Sequence, residues 1–330
     1  MLFSLDTRRA RYTANVSTEE YEVMKLFSDR LVDAIQKMGN PCVVGLDPRI
    51  DLMPMFVKSG RGAPTADAIR SVISDFHDLV LDTVAGLVPA VKPQVAFFEQ
   101  YGTAGMLAFE DTIRAAKKRG LLVIADAKRN DISSTAEAYA AAFLGEADVF
   151  GQPQKAFDAD SMTVTPYLGR DSLLPFVEAC AKYRKGLFVV LKTSNPGSKD
   201  FQDLELRATG RPLYEKIAEG IQEFGESLMG ESGYSSIGAV IGATFPDAAR
   251  RLRALLPRSF ILVTGYGSQG ACGRDAAACF NSDGRGAIVS SSRGITSSYS
   301  REDVTRASFA DCVRENTLRM IDDVTGALKR

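Results

Sequence analysis

Histidine is almost missing from this chain: its 330 residues include one, His77, set inside a helical pattern. A single imidazole on an apolar stripe reads as structural, so acid–base chemistry falls to lysine, aspartate or glutamate. Cysteines are few and scattered. Cys42, Cys180, Cys272, Cys279 and Cys312 are odd in number and show no CxxC spacing, which argues against a disulfide framework or a zinc site and predicts buried thiols in a reducing compartment. Neither sign of charge dominates, with 40 basic against 41 acidic residues, and no Lys/Arg stripe with interleaved aromatics is present, so no nucleic-acid partner is expected. Long apolar runs are lacking as well. No window approaches about 18 uninterrupted apolar residues, and the opening MLFSLDTRRARY breaks into charge at Asp6. The expectation is a cytoplasmic protein with neither signal peptide nor membrane span.

The rest of the composition, 45% apolar and 25% charged, is that of a globular protein able to bury a large core. Residues 1–16 are polar and aperiodic. Residues 18–38 carry a helical stripe (Tyr21, Met24, Phe27, Leu31, Ile35) that ends at Gly39-Asn40-Pro41. Short apolar strands then follow at 42–46, 88–91, 121–125, 162–165, 187–191, 237–241, 260–263 and 287–289, each succeeded by a helical segment, the last helix running over 303–328. Eight β/α repeats predict a (β/α)8 TIM barrel occupying 41–330, with 1–40 as an N-terminal arm and helix. The rival, an open doubly wound sheet, lacks a Rossmann fingerprint here.

The stretch 121–132, LLVIADAKRNDI, runs a buried strand straight into Asp126, Lys128 and Asp131. Asp126 and Lys128 share a face on a strand, whereas Asp131 lies beyond it, at the start of the next helix. One cation is thus offered between two anions. Asp131 could equally cap that helix, and Ser134 with Glu137 makes a second capping pattern. Three charges in a buried setting stabilise poorly, however, and suit chemistry better.

In a barrel, the residues ending each strand meet at one mouth. These are Asp47, Lys92, Asp126, Lys128, Ser194, Gln269 and Arg293. Loops after the seventh and eighth strands commonly hold phosphate in this fold, and here they read GYGSQG and SSSRG, with Arg293 able to grip a phosphate by two parallel bonds. Alternatively, the glycines only permit tight turns and Arg293 makes a surface ion pair. An ammonium beside a carboxylate suits Lys128 as a general acid, and a substrate carboxylate pressed near Asp126 would be repelled by roughly 4 kcal/mol at about 4 Å and an effective dielectric near 20. The residues therefore indicate a phosphorylated substrate whose carbanion is protonated by lysine, with no cofactor required.

DAKRNDI at 126–132, with GLDP at 45–48, VKPQVAFFE at 91–99, KTSNPGS at 192–198, GYGSQG at 265–270 and SSRGI at 291–295, resembles in order the blocks of the orotidine 5′-phosphate decarboxylase family, in its longer subgroup. The resemblance implies a cofactor-free lyase converting orotidine 5′-monophosphate to UMP and CO2, the last step of pyrimidine biosynthesis, on a homodimer. It implies that Lys128 protonates C6, that Asp126 sits near the departing carboxylate and that Lys92 pairs with Asp126 and the ribose. Asp47 would hold a ribose hydroxyl, Ser194 would read the pyrimidine, and Gln269 and Arg293 would grip the phosphate. Asp131, Ile132 and Thr135 would enter the partner subunit's site. The chain departs from the family at Asn130 and Ala271, where glycine is frequent. Residues 1–40 and the insertion 198–211 fall outside the matching blocks. Two other readings are a metal-dependent aldolase resembling hexulose-phosphate synthase, which shares DxKxxD, and a non-catalytic nucleotide-binding barrel.

Overall fold

The computed structural model describes residues 24–299 and 304–329. The expected arm and the first residues of the opening helix lie outside them. Within them that helix begins at Phe27, later than its stripe suggested, and runs to Met38, where Gly39 closes it in the left-handed conformation.

The strands are β1 (Cys42–Leu46), β2 (Ala90–Pro93), β3 (Leu122–Arg129), β4 (Ala147–Val149), β5 (Gln152–Gln154), β6 (Ser161–Val164), β7 (Gly186–Lys192), β8 (Ser235–Gly242), β9 (Ser259–Thr264) and β10 (Ala287–Ser291). β4 and β5 form a small antiparallel hairpin that periodicity did not indicate. The other eight close in the order β1-β2-β3-β6-β7-β8-β9-β10, all parallel, and helices separate them along the chain. This is the expected (β/α)8 barrel. Its strands read as continuous apolar runs because they are covered on both faces: outside by helices such as Ala66–Val84, whose Val72, Ile73, Phe76, Val80 and Val84 are buried, and inside by the barrel's own core.

Alternation along the strands sets that inner core. Val43, Ala90, Ile124, Phe188, Val240, Leu262 and Ile288 pack together inside the barrel. The helix Phe27–Met38 seals the end where the strands begin. Its Phe27 meets Phe188 edge to face at 6.0 Å; Gly186 leaves it room, since a Cβ there would stand 2.1 Å from the Phe27 ring. Asp29 accepts the amides of Glu231 (3.1 Å) and Ser232 (2.8 Å), and Arg30 pairs with Asp160 at 2.6 Å. With that end plugged, the cleft opens where the strands finish.

Further along four of these strands the inward positions turn polar: Val43 leads through Gly45 to Asp47, Ala90 to Lys92 and Gln94, Ile124 to Asp126, and Ile288 to Ser290 and Ser292. The period-2 geometry that builds the core therefore delivers charged and hydroxyl side chains to the mouth.

Candidate active site

The mouth is a cleft of about 1000 Å³. Asp47, Lys92, Asp126, Lys128, Ser194, Gln269 and Arg293 all line it, together with Gln94, Lys199 and Ser292, which the sequence reading did not assign. Gln94 follows Lys92 by two and shares its inward face, so strand parity could have found it. Lys199 arrives from the short 3-10 helix Pro196–Asp200 and carried no such signal.

Asp126 is the electrostatic centre. It is only 3% exposed, and four donors saturate its carboxylate. Oδ2 accepts from Lys92 Nζ (2.7 Å) and Gln94 Nε2 (2.8 Å), while Oδ1 accepts from Lys128 Nζ (2.6 Å) and the Thr163 hydroxyl (2.9 Å). Burial alone would raise its pKa, but the ammoniums of Lys92 and Lys128 outweigh that and hold the carboxyl well below the usual range. Burial would likewise lower Lys92, yet Asp126 and Asp47 keep its pKa raised. The arrangement inverts the sequence picture of one cation between two anions: one anion stands between two cations.

The backbone makes this possible through an irregularity. Between Ala125 and Arg129 the β3–β6 register slips, and Lys128 adopts φ 47°, a left-handed conformation that side-chain-bearing residues avoid. Its amide donates to Thr163 Oγ1 at 2.9 Å. Such a conformation costs on the order of 1–3 kcal/mol and persists where the surroundings over-determine it. Here Thr163 binds both the strained amide and the carboxylate.

Asp47 sits across the mouth. Its Oδ1 is buried and has no hydrogen-bond partner among the described residues. Burial pushes its pKa up against the opposing pull of Lys92. Close approach fixes the remaining walls: a Cβ on Gly45 would stand 2.0 Å from Ser292 Oγ, and one on Gly242 would stand 2.7 Å from the Ser194 backbone. Lys192 turns away, pairing with Asp203 at 2.5 Å and with Ser198 at 3.1 Å, so the start of the insertion anchors the loop that carries Ser194 and Lys199.

Asp131, Ile132 and Thr135 do not line the cleft of this chain. Asp131 accepts the Ile132 amide at 2.8 Å and lies next to the helix Ser133–Phe143, whose N-cap residue, Ile132, makes no side-chain cap bond; the suggested capping patterns are not formed. Ile132 is 54% exposed. His77 is buried in the helical layer beside Phe76 and Phe98, its Nδ1 3.0 Å from Thr112 Oγ1.

A closed (β/α)8 barrel with a lysine–aspartate–lysine cluster at its mouth, centred on the buried Asp126 and facing a glycine-rich loop and an arginine, defines a barrel enzyme with a strongly charged cleft. The chain belongs to the family described as orotidine 5′-phosphate decarboxylase / HUMPS, which residues 44–307 match. It is 42% identical over 307 residues to the orotidine 5′-phosphate decarboxylase of Rhodopirellula baltica, covering 92% of this chain and all of that one. With the enzyme of the same name from Caldicellulosiruptor saccharolyticus it shares 44% over 276 residues, 83% of this chain and 90% of that protein. Its fold is similar to that of the OMP decarboxylase of Leishmania donovani, with a TM-score of 0.69, 30% identity, and coverage of 92% of this chain and 99% of that one.

Proposed function

We propose that this protein decarboxylates orotidine 5′-monophosphate to UMP and CO2, needing no cofactor, as the last step of pyrimidine biosynthesis in the cytoplasm. The observation that carries the reading is the buried Asp126 carboxylate, kept ionised between Lys92 and Lys128. A binding site for an anionic substrate gains nothing from a buried negative charge; a site that expels a carboxylate does.

The substrate phosphate is gripped by Gln269 and by Arg293, the latter through two parallel bonds. Ser194 reads the pyrimidine edge. A ribose hydroxyl donates to the partnerless Oδ1 of Asp47, and Lys92 reaches the ribose while holding Asp126 in place. The pyrimidine carboxylate is then pressed toward Asp126, where about 4 Å of separation at an effective dielectric near 20 gives roughly 4 kcal/mol of repulsion. As the C6–carboxylate bond breaks, its electron pair stays on C6, CO2 leaves and the repulsion is relieved. Lys128 Nζ delivers its proton to C6 and is recharged from solvent, to which its side chain is 40% exposed.

The working unit of this reading is a homodimer in which Asp131, Ile132 and Thr135 enter the partner subunit's site. Its support is exposed apolar surface on neighbouring connections: Ile132 (54%) after β3, and Tyr167 (86%) and Leu168 (48%) after the adjacent β6.

The test is incubation of the purified protein with orotidylate, followed by its ultraviolet absorbance, with and without chelator. Consumption in both arms is expected. Folded protein that leaves the absorbance unchanged refutes the reading, and activity abolished by chelation favours the aldolase-type alternative instead.

A further inference from the structure

The glycine-rich loop leaving β9 is tethered from below. Gly265, Gly267 and Gly270 all have positive φ (85°, 72° and 94°), so the loop is built from residues with the least intrinsic stiffness. It closes on itself through Gly267 N to Ala271 O (2.8 Å) and Gly270 N to Gly267 O (2.9 Å). Those bonds shape the loop without fixing where it stands relative to the barrel.

One oxygen ties both of its flanks to the C-terminal helix. Asp323, on the C-terminal helix Arg306–Leu328, accepts through Oδ2 both the Tyr266 hydroxyl (2.9 Å) and the Gly273 amide (2.8 Å). The contact is close: a Cβ on Gly273 would stand 2.4 Å from the Asp323 carbonyl oxygen, so only glycine lets the loop's far end seat on the helix. Asp323 itself does not line the cleft, whereas Gly265, Tyr266, Ser268 and Gln269 do.

We infer that Asp323 is a positioning residue for substrate recognition, holding the 265–272 loop at the height where Gln269 meets the substrate's phosphate. The inference rests on the phosphate assignment made above for that loop. Binding energy from a remote phosphate is used at the reacting carbon, and a displacement of about 1 Å far from the chemistry can cost roughly 100-fold. The cost should therefore fall on the phosphorylated substrate alone.

The experiment compares kcat/KM of Asp323→Ala, Asp323→Asn and Tyr266→Phe on orotidine 5′-monophosphate and on orotidine, which lacks the phosphate, with Arg293→Ala alongside. Asp323→Ala should lose roughly 10- to 100-fold on the phosphorylated substrate and stay near the parent protein on orotidine. Asp323→Asn, whose amide oxygen can accept both bonds, should recover most of the loss, and Tyr266→Phe, which removes one of the two, should fall between. Equal losses on both substrates, or none on either, would overturn the positioning role. Should Asp323→Ala fail to fold, the same comparison is made with Tyr266→Phe, and equal effects on the two substrates are again fatal. An Arg293→Ala protein with undiminished turnover of the phosphorylated substrate would remove the phosphate assignment, and this inference with it.

Discussion

Replacing Asp126 by asparagine keeps the shape of the side chain and deletes its charge, which makes it the sharpest probe of the cluster. Two consequences can be worked from the geometry. For catalysis, the lost repulsion against a substrate carboxylate is about 4 kcal/mol at about 4 Å and a dielectric near 20. At about 1.4 kcal/mol per tenfold, kcat should fall by roughly a thousandfold, and further insofar as Lys128 loses the 2.6 Å bond that orients it. For stability, Lys92, 6% exposed, loses its 2.7 Å partner. In addition, one amide group turns N–H donors toward donors on whichever side it faces, since all four present partners of Asp126 donate. Breaking a buried pair costs about 3–5 kcal/mol. Both effects are measured on the same protein: initial rates of orotidylate consumption at saturating substrate, and urea unfolding followed by circular dichroism. A variant within tenfold of the parent in kcat would refute the repulsion argument. One that changed only KM would make Asp126 an ordinary binding group.

Three further outcomes are expected. Inactive Lys128→Ala and Asp131→Ala proteins, mixed and re-dimerised, should recover partial activity, because under the proposed shared-site dimer each heterodimer would contain one site with both residues intact; no recovery in verified heterodimers would return Asp131 to its own subunit's site. His77 is buried, with its pKa lowered from 6.5 to about 3 by burial. The unfolded chain binds that proton first, so the stability tied to neutral His77 is present above pH 6.5 and is lost as pH falls toward 3. By pH 5 the loss should reach roughly 2 kcal/mol, and His77→Phe should flatten that part of the urea-midpoint profile; an unchanged slope would contradict it. Gly242→Ala places a Cβ 2.7 Å from the Ser194 backbone and should lower kcat/KM on the order of 100-fold through loop displacement, with about 1–3 kcal/mol of destabilisation; crystallography showing Ser194 unmoved, with full activity, would dismiss that contact.

His77 also illustrates how far local reasoning reaches. The Thr112 hydroxyl donates to Ala108 O at 2.7 Å, so it accepts from His77 Nδ1–H and leaves Nε2 buried without a partner among the described residues. A structural role was legible from one histidine on an apolar helical face. The tautomer was not, because it depends on a neighbouring helix.

The same division runs through the whole protein. Sequence periodicity was enough for the barrel, since buried parallel strands must be short apolar runs and the helices between them must carry apolar stripes; it also placed Asp47, Lys92, Asp126, Lys128, Ser194, Gln269 and Arg293 at strand ends, where this fold brings them to one mouth. Tertiary structure decided how the charges pair. Lys92 and Asp126 are 34 residues apart, and Gln94 and Thr163 reach the same carboxylate from different strands, contacts that no local spacing encodes. Strand spacing also assumed a regular β3, whereas the register slips there and Lys128 is left-handed, with Thr163 from a different strand bonded to both the Lys128 amide and the Asp126 carboxylate. The sequence alone determined that the seven residues named above would be present at the mouth; Gln94, Lys199 and Ser292 joined them only in the folded barrel. Which of them face one another, and with what charge between them, depended on closing the barrel, because hydrogen-bond geometry is fixed only when distant strands come into register.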